Sequence, residues 1–524
     1  ANIETPSGEK KTLAVQRKAG NTYLIDLKSK LLNYVGLYTI RITDPVSKKI
    51  SEASVYLREP FSWYMKMARD NAYTKKPIIS GSAESSYGFY AAFLARKYFP
   101  DSTKDQFLEN LFNQKIGLAF DLKQGRPLPD VSPKRVQNIT TTIGILTDLW
   151  EATKDTTYLS DAAKLGDYIA SPEIQKEDGS YRSGNTHYTA VIYPAKSMLE
   201  LATAEKQLAK DNNCWQQRYI RHSESANKAI KDLLVRRDNI ETEGDLTFED
   251  GMISCSALQL GLGGLQKQDK SERKSYTDVA AYMMDKHICL EQELIPDARM
   301  RGATLRYWEA LDLYFVPNQI MNSPHGWTAW KIYADYYLYL LTGDEKYLRD
   351  FMDTLGSCIQ LIDKTGELRW GFVPDPYMKA QLFVQEAPGS IKGKKLDTVV
   401  GEQYLPMITS WFRPADENKI VRFGDQGGSG DNTVYEIFKA LEECALNKAY
   451  VICKNDGSLL TWNCTAKKEN GIIKIAPAES VINNIHFNAD QPYKVQIKSA
   501  KGNINVNAKK GLQWIGINGS VTSY

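Results

Sequence analysis

The stretch Leu341-Thr-Gly-Asp-Glu-Lys-Tyr-Leu348 echoes Ala152-Thr-Lys-Asp-Thr-Thr-Tyr-Leu159. In each, an aromatic-rich helical pattern ends, Gly or Lys and an Asp make a tight turn, and Tyr-Leu opens the next helix. The Asp carboxylate can cap that helix by accepting a backbone N–H. A second echo is a turn followed by an extended aromatic: Asp178-Gly-Ser-Tyr181, Glu243-Gly-Asp-Leu-Thr-Phe248 and Thr365-Gly-Glu-Leu-Arg-Trp370. Helix, short turn, helix and loop in repetition read as stacked α-hairpins.

From Phe61 to about Ala449, many segments place apolar residues at three- and four-residue steps. They are Ser85–Phe99, Thr140–Ala152, Ala190–Ala204, Ser225–Val235, Ser254–Leu265, Ala329–Leu341 and Thr433–Leu446. Period-two alternation marks Tyr38–Thr43 and Ala53–Leu57 before this region, and Gly471–Ile475, Tyr493–Ile497 and Asn503–Val506 after it. The expected layout is an N-terminal β-domain (1–60), a helical catalytic domain (61–448) and a C-terminal β-domain (449–524). Repeated hairpins build either an open solenoid or a closed (α/α) toroid. Loops rich in Trp, Tyr and Gly favour the toroid, because a scaffold alone has no use for them unless they line a site. The fold class is therefore mainly α, an (α/α) toroid or barrel flanked by smaller β-domains.

Composition narrows the function. The chain has 524 residues and a formal charge of +3, which offers no basic stripe for nucleic acid. No apolar run approaches the roughly 20 residues of a membrane span. Seven cysteines contain no C-x-x-C pair; Cys255 and Cys358 read as buried thiols, and Cys453 with Cys464 is the plausible disulfide. No H-E-x-x-H or EF-hand loop appears, so no metal or cofactor is expected. Gly424–Asp431 is glycine-rich but lacks the Gly-Lys-Ser/Thr ending of a phosphate loop. The first residue is Ala1, not Met, which reads as removal of something before it, either a signal peptide or other residues. The expected setting is secreted or periplasmic, and the expected state a monomer.

The Gly-Asp-x-x-Tyr-Leu turn and the Asp-Gly-x-Tyr loop, set in aromatic-rich α-hairpins over residues 61–448, resemble the (α/α)-toroid carbohydrate-active enzymes. These include polysaccharide lyases and six-hairpin glycosidases; the overall layout is most like the lyases, and among them the rhamnose–glucuronate group. The resemblance implies an acidic oligo- or polysaccharide as partner, and β-elimination next to a uronic acid. A glycoside hydrolase on the same scaffold and a non-catalytic glycan-binding repeat protein are the alternatives.

Elimination needs a base for the C5 proton, a group that neutralises the carboxylate, and an acid for the leaving oxygen. Arg182, Asn185, His187 and Tyr188 fall within seven positions and supply those types, with Tyr181 beside them. His187 and Tyr188 are the expected acid/base pair; Arg182, which can grip a carboxylate in bidentate fashion, and Asn185 are the expected carboxylate partners. His325, in Asn322-Ser-Pro-His-Gly-Trp327, is the second catalytic candidate, with Asn322 and Trp327 as sugar contacts. Arg301, Arg306, Trp308 and Glu309 form a charged aromatic segment suited to an anionic sugar. Glu249 and Asp250 can bind hydroxyls or, paired with Glu309 or Asp375, act as the two carboxylates of a hydrolase. Trp370 is a stacking candidate. With 30 Tyr, 16 Phe and 10 Trp against five His, the proton-transfer search narrows to His187, His325 and their tyrosine neighbours.

Overall fold

In the computed structural model, the two echoing turns superpose atom for atom in their hydrogen bonding. Asp155 and Asp344 cap their helices by accepting from Thr157 N and Lys346 N, both at 2.9 Å. The residue before each Asp, Lys154 or Gly343, is left-handed, at φ 60° and 69°. The hydroxyls of Thr153 and Thr342 accept the Asp N–H at 3.2 and 3.1 Å. One local code thus reverses the chain twice, 189 residues apart in sequence.

The structure describes all residues except 18–22, 26, 28–31, 45, 80–82, 130–135, 211, 241–249, 292–296, 305–312, 316–326, 370, 374–378, 386–392, 401–402, 406–431, 501 and 524. Twelve α-helices lie among the described residues: α1 (Phe61–Lys75), α2 (Gly88–Tyr98), α3 (Ser102–Ile116), α4 (Val136–Thr153), α5 (Thr156–Ile169), α6 (Pro194–Ala209), α7 (Asn213–Arg236), α8 (Asp250–Leu265), α9 (Lys270–His287), α10 (Thr328–Thr342), α11 (Glu345–Ile359) and α12 (Glu436–Leu441). Each helical segment expected from the sequence overlaps one of these. None is long and apolar enough to cross a membrane.

Burial separates two classes of helix. Every residue of α4 from Val136 to Trp150, and of α10 from Thr328 to Leu340, is buried. The odd-numbered α5, α7 and α11 bury one stripe and expose the other, as helices on an outer layer do. The even-numbered helices pack in sequence, α2 on α4, α4 on α6, α6 on α8, α8 on α10 and α10 on α12; α12 then returns to α2. Their partners pack behind them as α4·α5, α6·α7, α8·α9 and α10·α11 hairpins.

Before the helices, an antiparallel sheet runs in the order Lys10–Thr12, Asn2–Glu4, Gly36–Thr43, Ile50–Leu57. After them, a five-stranded sheet led by Leu459–Trp462 and Lys448–Cys453 and a four-stranded sheet starting at Cys464–Glu469 share a separate apolar core. Two features differ from expectation. Strands Gly371–Val373, Lys379–Gln385, Gly393–Val400 and Gln403–Leu405 interrupt the helical run between α11 and α12. Lys379-Ala-Gln-Leu-Phe-Val-Gln385 alternates with period two, and pairing in a sheet satisfies its backbone. The Cys453–Cys464 disulfide is absent: both thiols are free and buried. Cys464 Sγ reaches Tyr450 O, which lies three residues, roughly 10 Å, along the strand from Cys453. Cys255 and Cys358 are buried thiols, as expected.

Candidate functional site

Three residues far apart in sequence meet where the helix ring closes. Tyr193 directly precedes α6, whose first residue, Pro194, is preorganised for a helix start. Glu436 opens α12, and Tyr333 lies in the second turn of α10. Tyr193 OH donates to Glu436 Oε1, and Tyr333 OH donates to the same oxygen at 3.4 Å. The two phenol rings meet edge-on at 5.8 Å. Lys196 Nζ sits over both, 5.1 and 4.5 Å from their centroids. On the α2 side, Tyr90 OH donates to Thr141 O at 3.0 Å, and its ring lies 5.6 Å from that of Tyr87.

Several polar atoms around this junction are buried without a hydrogen-bond partner among the described residues. They are Glu436 Oε2, Tyr435 OH, Gln137 Oε1, Thr141 Oγ1 and Trp330 Nε1. Each lies in the first turns of α4, α10 or α12, or in the 3-10 turn leading into α12. A buried polar group without a partner costs about 1–3 kcal/mol, so such a cluster is the mark of a site built to meet something else. Gly251, the second residue of α8, lets that helix pack directly on Trp330: a Cβ there would stand 2.5 Å from the indole.

Burial pushes the Glu436 carboxyl up to about 8, more than the Tyr193 hydrogen bond and the Lys439 and Lys196 charges pull it down. At neutral pH it holds a proton, and its Oε2 is then a donor. Burial, followed by the nearby Glu436 charge, also holds Tyr193 and Tyr333 well above the usual phenol range. Beneath this layer lies a buried ion network. Lys439 bridges Asp148 at 2.8 Å and Glu200 at 3.4 Å, while Lys196 pairs with Glu200 and, at 2.8 Å, with Glu443.

The loop singled out from sequence forms a β-turn unit packed on α7. Tyr181 is fully buried, its OH 2.9 Å from Ser225 Oγ. His187 is fully buried too: its Nε2 lies 2.8 Å from Asp232 Oδ2, and its Nδ1 has no partner among the described residues. Asp232 in turn accepts from Arg236 Nε at 2.6 Å. Tyr188 is buried, and Asn185 is exposed. Arg182 donates to Ser180 Oγ and Asn185 O, both at 3.0 Å. The structure thus brings His187, Arg182 and Tyr181 together, but on the α7 side of the hairpin, tied to Asp232, Asp178 and Ser225. Trp327 stands just before α10 and stacks on Trp330 at 5.4 Å, which places it beside the ring-end cluster. Arg301 is exposed and reaches Ser54 O of the N-terminal sheet at 3.5 Å. Asp250 is the first residue of α8. Glu249, Arg306, Trp308, Glu309, Asn322, His325, Trp370 and Asp375 lie outside the described residues.

Sequence reasoning missed Glu436, Tyr193 and Tyr333. One signal was available: Glu436 is a lone acid in the apolar run Val434-Tyr-Glu-Ile-Phe438.

No family model matches the chain, and no curated protein is similar to it in sequence. Among solved structures, the chain is similar to the polysaccharide lyase BACCELL_00875, with a TM-score of 0.54 at 13% identity over 84% of this chain. The chain spans 60% of that protein's length. Weaker likenesses are a GH127 β-arabinofuranosidase (TM-score 0.41, 12% identity, 83% of this chain and 65% of that one) and a family 76 glycoside hydrolase from a bovine Bacteroides thetaiotaomicron strain (TM-score 0.38, 12% identity, 84% and 92%).

Proposed function

We propose that the chain is a carbohydrate-active enzyme that cleaves an acidic polysaccharide by β-elimination, with its chemistry at the start of α12. The observation that carries this is Glu436: a buried carboxyl held by two tyrosines, with its second oxygen unpartnered among the described residues. The ring of inner helices supports reading the fold as an (α/α) toroid, and the fold likeness to a polysaccharide lyase agrees with the reaction class.

In elimination, a base removes the C5 proton of the uronate. The electron pair forms the C4–C5 double bond, the C4–O bond breaks, and the departing oxygen takes up a proton. Glu436 is the acid in this reading, because a carboxyl raised to about 8 is still protonated at neutral pH and sheds its proton to a basic alkoxide. His187, the base expected from the sequence, is buried on the α7 side with its Nε2 2.8 Å from Asp232 Oδ2, apart from Glu436.

A buried acid with a raised pKa is also what hydrolysis requires, so a glycosidase is the second reading. Incubation with acidic glycans, rhamnosyl-glucuronate ends first, separates the two. Elimination gives an unsaturated uronate with ultraviolet absorbance; new reducing ends without that absorbance overturn it in favour of hydrolysis. His187→Ala tests the base expected from the sequence: a fall in turnover of about a hundredfold or more keeps it. Near-full activity in that variant removes His187 from the mechanism.

A further inference from the structure

A cavity of about 220 Å³ lies away from the ring-end cluster, where the N-terminal sheet, α11 and the C-terminal sheets meet. Arg58, Glu59 and Phe61 line it from the connection between strand Ile50–Leu57 and α1; Asp353 lines it from α11, and Trp462 and Asn463 from the edge strand of the five-stranded sheet. It is smaller than the roughly 300 Å³ at which pockets for drug-sized ligands begin, so it suits a single ring.

Its wall carries an arginine with nothing to bind. Arg58 makes no hydrogen bond and no ion pair among the described residues, and Asp353 acts on it only through its charge. The guanidinium is accommodated by Gly356 of α11, where a Cβ would stand 2.3 Å from Nη2. Asn463 commits its amide to Ala445 O at 3.1 Å and Lys448 O at 2.9 Å. Asp353 is surrounded by the charges of Arg301, Arg58, Lys331 and Arg349. Trp462, part-buried, is steadied by the Arg349 guanidinium 5.6 Å from its ring.

We propose that this cavity is a second glycan-binding site that takes one hexuronate residue: its carboxylate on the Arg58 fork, its hydroxyls on Asp353 and Asn463, and its C–H face on Trp462. Such a pairing uses the planar donors of arginine and the flat apolar face of an indole. A site at the junction of the helices and the sheets would hold a polysaccharide chain while another part of it is processed elsewhere.

The inference does not rest on the ring-end reading, and the experiment keeps the two apart. Glucuronate and methyl glucoside are titrated by saturation-transfer NMR against the full chain, Arg58→Gln and Asp353→Asn, each first checked for folding by circular dichroism. Glucuronate is expected to bind Arg58→Gln about tenfold more weakly than wild type, the worth of one charge-assisted contact, and to outbind methyl glucoside. Equal affinity of wild type, Arg58→Gln and Asp353→Asn overturns the site. No binding to wild type does so equally. Equal affinity for methyl glucoside removes the carboxylate from the proposal.

Discussion

At the scale of single residues, Glu436 carries two linked consequences. Its folded pKa is raised to about 8 from 4.5, so between those values the native state keeps a proton that the unfolded chain releases. Stability from this group is therefore full below pH 4.5 and falls as pH rises toward 8, by at most about 1.4 kcal/mol per unit. Glu436→Gln removes the titration and keeps a donor amide. Relative to wild type, the variant should gain stability as pH goes from 5 to 8, read as a rising difference in urea midpoint, while turnover falls about a hundredfold or more. Parallel midpoints at both pH values would mean that Glu436 is ionised in the native state. Two glycines of the 178–188 loop give a second residue-scale test. Gly184 has φ +60° with open space around its missing Cβ; Gly179 has φ +92° and would press a Cβ within 2.5 Å of Lys228 O on α7. Gly184→Ala should cost about 1 kcal/mol, the left-handed penalty alone. Gly179→Ala should cost more than twice that, because a backbone oxygen cannot step aside, as thermal melts of the pair will show.

At the scale of elements, the turns that link outer and inner helices work as a repeated device. Asp155→Ala and Asp344→Ala should each cost about 1 kcal/mol, the worth of a helix cap. The two sites lie in separate hairpins with no shared partner, so the double variant should cost the sum of the two. A double variant no worse than either single one would show that the caps are not independent. These turns were legible because the code is local: a cap, a left-handed residue and a Thr-to-backbone bond all fall within five residues. The Asp-Gly loops were legible as turns but not in what they touch. Gly179 and Gly366 both have positive φ, in tight reversals closed by the bridges Gln175↔Tyr181 and Ile362↔Leu368. One packs on Lys228 of α7 and the other on Met67 of α1. They staple consecutive hairpins, and an aromatic such as Tyr181 that looked free to stack on a sugar is spent on that contact. Glu436 escaped notice for the opposite reason. Tyr193, Tyr333 and Glu436 meet only because the ring closes, and no spacing within one segment records a meeting of residues more than a hundred positions apart.

At the scale of the whole molecule, the packing of the inner helices and the proposed chemistry meet on one short helix. Six-residue α12 stands between α10 and α2, and its first residue is Glu436. One turn later, Lys439 ties it to Asp148 of α4 and Glu200 of α6, with Tyr90 of α2 4.4 Å beneath the ammonium. A helix of six residues is far below the length that is stable alone, so these tertiary ties hold it in place. Lys439→Met keeps the side-chain volume but strands Asp148, whose carboxyl burial already pushes upward against the Lys439 charge. The expected cost is about 3–5 kcal/mol, because a buried charge is left without its partner. It should be smaller at pH 5 than at pH 8, since without the lysine the Asp148 pKa rises further and the group is neutral at the lower pH. Asp148→Asn in the Lys439→Met background should recover part of the loss and flatten the pH dependence, whereas strict additivity of the two substitutions would deny the coupling. Turnover in Lys439→Met should fall more than stability alone explains, because the same substitution frees the turn that presents Glu436 to Tyr193 and Tyr333. Activity measured well below the variant's melting temperature separates that loss from unfolding.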